Sequence, residues 1–302
     1  MYFRMTNNSS DVSPCRSYMV LILGVSNVGI IEKGVFFSAY TLVSVLTFVL
    51  NAVVIKTLLK RKRAKSDNLF LILSISDFLV GAVALPVLSL EFIVNDKLNC
   101  LIQPWIATFS IFPFSFSWVL TILISIDRYV AILLPRIHRL CKETNFTYKC
   151  VILVFFFVVS FATAYGWKKK EEMSLLSNPE THVNIFTIAI PLMELVFLIF
   201  TSFLHLHLYI SVRRKTRKMD ASRHTNSNSQ RKLTITITLM FFCAVILNIP
   251  LFVFSFYELF TSRSTWKPVV MYRGRKWTML ITFTNSFCNS IILMRSSSFK
   301  KT

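Results

Sequence analysis

Long apolar runs separated by short polar stretches set the rhythm of this 302-residue chain. A helix needs about 20 apolar residues to cross the hydrocarbon core of a bilayer. Seven runs approach or reach that length, at 34–58, 68–93, 104–134, 148–166, 184–212, 233–259 and 277–294. Inside lipid every backbone N–H and C=O must find its partner within the segment, so these runs predict helices. The last is the shortest span and carries Thr, Ser and Asn among its apolar residues. The expected fold is an all-α membrane protein, a seven-transmembrane helix bundle, and the odd number of crossings puts the two ends on opposite sides.

The polar stretches differ in charge. KRKRAK (60–65), RIHRLCK (136–142) and RRKTRK (213–218) follow alternate runs, and Arg295, Lys300 and Lys301 follow the last. Short loops rich in Lys and Arg stay in the cytoplasm, which places the N-terminus outside and the C-terminus inside. Residues 1–33 then form an extracellular segment, 34–295 one membrane domain and 296–302 a short cytoplasmic tail. Asn7 and Asn8 each open an Asn-X-Ser acceptor for glycosylation, which suits an outer N-terminus. Asn145 opens another, but on the cytoplasmic side. The apolar stretch 18–31 resembles a signal-peptide core, yet it lacks a small-residue cleavage site and ends at Glu32-Lys33. It reads as an interfacial approach to the first helix.

Composition agrees: 54% hydrophobic residues, 29 Phe and 14 acidic residues describe a chain whose main solvent is lipid. Topology and attraction to anionic lipid account for the net charge of +20, and no nucleic-acid partner is needed. No nucleotide loop, catalytic triad or metal-ligand spacing points to an enzyme. No internal symmetry of the kind built into many transporters is visible.

The third run ends in WVLTILISIDRYVAILLP, so Asp127, Arg128 and Tyr129 lie at its inner rim. Charged side chains near membrane depth are costly and mark switching, conduction or binding. The triplet at this place, with Asp77 in LSISDFLVGAVALP and Asn51 in FVLNAVVI, resembles the rhodopsin-like (class A) G-protein-coupled receptors. The resemblance extends over all seven runs. It implies that Arg128 meets a heterotrimeric G protein when the cytoplasmic ends of the fifth and sixth helices move, and that Asp127 restrains it beforehand. The bland alternative is an interfacial Arg reaching lipid headgroups. Ser117, Asn285, Ser286 and Asn289 match the positions that, with Asn51 and Asp77, surround a sodium ion in the family. A carboxylate at that depth either takes up a proton or finds a cation and hydrogen bonds, and Ser and Asn oxygens suit a hard cation. A neutral network that joins helices is the competing expectation. Pro86, Pro191 and Pro250 fall in helices where the family has proline kinks.

Departures from the pattern are numerous. Asn248 stands where the family has a Trp two before Pro250. Ser290 and Leu293 replace the Pro and Tyr of the seventh-helix motif, and Ile199 falls at the fifth-helix Tyr position. Gln230 lacks the acid that would pair with Arg128. The family's bridge from the third helix to the second outer loop has no second cysteine in 167–183, so Cys100 either pairs with Cys15 in the oxidising exterior or stays a free thiol. Phe283 stands where retinal receptors have their Lys, and Ser110 where amine receptors have an Asp, so a divergent, non-opsin, non-aminergic member is expected. Ser110, Glu194 and Asn248 are candidate contacts for a ligand of unknown class. The basic third outer loop around Arg263, Lys267, Arg273, Arg275 and Lys276 reads as solvated, with capture of an anionic ligand as the sharper alternative. His205 and His207, two apart, point to different helix faces and make a poor metal pair. The expected function is a plasma-membrane receptor coupling an extracellular ligand to G proteins. The alternative is a degenerate seven-helix protein, a decoy or partner of another receptor, with weak or no coupling.

Overall fold

The computed structural model describes residues 29–60, 67–90, 92–93, 96–143, 149–160, 192, 195–196, 198–211, 226–260 and 268–295. Among them all regular structure is helical. In chain order the helices are α1 (Ile30–Lys60), α2 (Asp67–Leu79), α3 (Leu85–Leu90), α4 (Asp96–Leu133), α5 (Pro135–Glu143), α6 (Lys149–Ser160), α7 (Leu198–Ser211), α8 (Asn226–Phe260) and α9 (Pro268–Arg295). Four stretches are long and apolar enough to cross a membrane: Ile30–Lys60, Asn68–Leu90, Phe112–Leu133 and Ile235–Tyr257. Apolar side chains such as Leu42, Phe156, Phe203 and Phe242 point outward, as lipid-facing residues do.

α2 and α3 form one continuous rod with a widened turn, Val80–Ala84, between them, in which the Leu85 N–H bonds back to Val80 O. Pro86 supplies the reason: its ring cannot follow a tight turn and its nitrogen donates nothing, so the ladder loosens just before it. The same turn brings the backbone of Gly81 against α1. Ser44 Oγ donates to Gly81 O at 2.7 Å, and a Cβ on Gly81 would lie 2.6 Å from Phe48 N. Only a glycine admits that approach.

Helix neighbours close a ring. α1 packs on α2, α2 on α4, α4 on α8, α8 on α9, and α9 returns to α1. Two apolar clusters fill its ends. One gathers Phe36, Tyr40, Leu85, Phe92, Leu280 and Phe283, the other Val54, Leu73, Leu120, Ile124, Met240 and Leu293. Between them, along α1, α2 and α9 alike, lies a layer of buried polar residues that includes Asn51, Asp77 and Asn289.

One expectation is corrected. The stretch 268–277 was read as part of a solvated loop, but it is the first part of α9. Arg273 forks onto Glu32 of α1, with Nε to Oε1 and Nη2 to Oε2 both at 2.6 Å. Lys276 is buried, its ammonium 5.7 Å from the Phe92 ring centre, and its carbonyl accepts from Tyr40 Oη at 2.8 Å. Aromatic rings and a carboxylate from distant helices give these cations an environment that water provides in a loop.

Candidate functional site

The polar layer is built around Asp77, which is fully buried. Ser117 Oγ of α4 donates to Asp77 Oδ1 at 2.5 Å, Asn289 Nδ2 of α9 donates to Oδ2 at 3.2 Å, and the Ser286 hydroxyl also bonds to the carboxylate. Three helices thus converge on one carboxylate through hydrogen bonds to its charged form. Asn51 stands one step away. Its amide donates to Thr47 O at 2.9 Å and to Ser286 O at 3.2 Å, while its Oδ1 accepts from Ser290 Oγ at 2.6 Å. It uses both hydrogens and its oxygen, so it braces α9 rather than touching Asp77.

Two amide oxygens of the layer, Asn285 Oδ1 and Asn289 Oδ1, are buried without a hydrogen-bond partner among the described residues. Their lone pairs, the Asp77 carboxylate and the Ser117 and Ser286 hydroxyls make up a donor set of the kind a hard monovalent cation takes. These residues fit the sodium ion that the resemblance implies.

Near the far end of α4, Arg128 Nη2 meets Asp127 Oδ2 at 2.5 Å. Adjacent residues on a helix do not face one another, so the long Arg side chain folds back to reach its neighbour. Arg128 is 6% exposed, and its Nε has no partner among the described residues. The other carboxylate oxygen, Asp127 Oδ1, lies 3.5 Å from His138 Nε2 of α5. Tyr129 points another way, its ring centre 5.6 Å from that of His207. A buried guanidinium tied through one of its nitrogens and closed by a short helix is an arrangement that can open.

The model of the 7 transmembrane receptor (rhodopsin family) matches residues 50–293. The chain belongs to that family. No curated protein matches it. The receptor is therefore a membrane protein of signal transduction and not an enzyme.

Of the residues the sequence singled out, the receptor brings Asp77, Ser117, Ser286 and Asn289 into contact, with Asn51 behind them and Asn285 beside them in α9. Asp127 and Arg128 form a separate pair. Asn248 is half-buried, its Nδ2 donating to Ala244 O at 2.7 Å, and it lines a small cavity with Trp118 and Thr201. Ile199 is 60% exposed and faces away from the bundle. Pro86 and Pro250 lie within helical rods. Asn7, Asn8, Cys15, Pro191 and Glu194 are outside the described residues, as are the side chains of Cys100, Ser110 and Gln230. Two participants were missed. Ser290 counted only as a lost Pro, although a hydroxyl in an apolar run must find a partner, and Asn51 is that partner. His205 was weighed only as a metal ligand, and it instead bonds Ser125.

Proposed function

We propose that this receptor sits in the plasma membrane with seven spans and its N-terminus outside, binds an extracellular ligand, and activates a heterotrimeric G protein through Arg128. The observation that carries the proposal is the Asp127–Arg128 pair. A guanidinium 6% exposed and tied to its neighbour at 2.5 Å stores a charge that the resting bundle hides. Outward movement of the cytoplasmic ends of α7 and α8 would uncover it, and a transducer's carbonyls or carboxylate would replace Asp127. The basic stretches at 60–65, 136–142 and 213–218 support the orientation.

Sodium has a place in the same scheme. Asp77 with the oxygens of Ser117, Asn285, Ser286 and Asn289 would hold it, and the ion would favour the arrangement in which α2, α4 and α9 converge. The buried oxygens of Asn285 and Asn289 support this. A non-aminergic ligand fits the absence of an acid at Ser110, and the retinal Lys position is Phe283, which is buried in an apolar cluster.

The test uses the full chain in lipid vesicles with purified heterotrimeric G proteins. Basal nucleotide exchange above that of empty vesicles is expected, and Arg128→Ala abolishes it. Exchange unchanged by Arg128→Ala removes the proposed role of Arg128. No exchange with any G-protein class leaves the decoy as the better description.

A further inference from the structure

One cross-link in the bundle lies apart from the Asp77 layer. His205 of α7 is 1% exposed, and its Nε2 lies 2.7 Å from Ser125 Oγ of α4. Ser125 Oγ itself donates to Thr121 O at 2.8 Å. A hydroxyl has a single hydrogen, so in the His205 contact Ser125 is the acceptor and Nε2–H the donor. The other face of the imidazole lies on Phe241 of α8, ring centres 4.0 Å apart and planes within 12°. One side chain therefore holds α4 by a hydrogen bond and α8 by stacking. Ser125 precedes Arg128 by one helical turn, on the same side of α4.

We infer that His205 is a positioning residue for the Arg128 switch: a latch that keeps the cytoplasmic ends of α7 and α8 closed over α4 and must release before the guanidinium is uncovered. This rests on the transducer role proposed above and adds to it the element that restrains the resting state. Position 230 carries Gln, so an acid there is not available to hold Arg128 across the bundle. Two observations make the latch releasable. His205 Nδ1 is a buried acceptor without a partner among the described residues, and an unmet acceptor favours an opening that lets water in. A cavity of about 20 Å³ between the same three helices, lined by Ser125, Thr201, Phe241 and Asn248 among others, leaves room for about one water molecule against both partners of the ring, Ser125 and Phe241.

The full chain in lipid vesicles supplies two readouts. Spin labels on Arg139→Cys and Ile235→Cys, with the other cysteines replaced by Ser, report the separation of α5 and α8. Nucleotide exchange reports the transducer. His205→Phe keeps the stacked ring and removes the donor, and Ser125→Ala removes the acceptor. Each is expected to raise the separated population roughly fivefold, the shift that loss of one buried hydrogen bond produces in a two-state equilibrium. The double variant goes no further than either single one, and His205→Gln, which restores a donor at that reach, returns towards the parent. An unchanged distance distribution in His205→Phe overturns the latch. So do effects of the two substitutions that simply add, or a lower Tm without separation. Separation without exchange in any variant supports the latch and counts against the transducer role.

Discussion

Both oxygens of Asp77 are engaged by groups from other helices, so its charge belongs to α4 and α9 as much as to α2. Asp77→Asn keeps the shape and removes the charge. Basal exchange of the parent is expected to be lower in sodium than in a bulky organic cation at equal ionic strength, and the difference to vanish in Asp77→Asn. Couplings between sites are typically about 1 to 3 kcal/mol, which corresponds to an effect of roughly 5- to 150-fold. Ser290 makes a sharper structural case. Ser290→Ala leaves Asn51 Oδ1 buried without its 2.6 Å donor, which costs about 1 to 3 kcal/mol and lowers Tm in detergent. At this scale the sequence exposed the acids, amides and hydroxyls, because polar residues in apolar runs stand out. It could not reveal their pairings. That Asn51 serves Ser290 and not Asp77, or that His205 serves Ser125, depends on the rotation of helices whose paired residues lie 239 and 80 positions apart in sequence.

Among the elements, the rod formed by α2 and α3 shows how one residue sets packing. Gly81→Ala puts a Cβ against backbone atoms of α1, where nothing can rotate aside. A loss of about 1 to 3 kcal/mol is expected for overpacking of this kind. Gly34 is the control, since a Cβ there meets nothing within 4 Å. Gly34→Ala is expected to stabilise by up to about 1 kcal/mol through helix propensity, so thermal unfolding of the two variants should move in opposite directions. Hydrophobic run length located the four long apolar stretches well. It failed at the start of α9, where Arg273, Arg275 and Lys276 look like a loop to any local reading. The groups that make a helix tolerable there, Glu32, Tyr40 and Phe92, are far away in sequence.

For the whole molecule, the contact between first and last helices has a measurable share of stability. The Glu32–Arg273 fork is close in geometry but partly exposed, at 26% and 47% of the two side chains. Exposed ion pairs contribute about 0 to 1 kcal/mol. Arg273→Glu is therefore expected to lower Tm modestly, the swap Glu32→Arg with Arg273→Glu to recover most of it, and added salt to shrink both effects. Greater stability rests on the aromatic cluster beneath, where Phe36 lies 5.0 Å from Trp277 and 5.3 Å from Phe92 between ring centres.

Ring closure through α9 also imposes an order on biosynthesis. Asp77 and Asn289 are 212 residues apart, and ribosomes add about 5 to 20 residues per second. For roughly 10 to 40 s, at those rates, the nascent chain holds its central carboxylate before the amide that will receive it has been made. Ser117 emerges much earlier and can shelter it in the meantime. A chain truncated ahead of α9 would carry that unfinished site permanently, a ready mark for the machinery that removes incomplete membrane proteins.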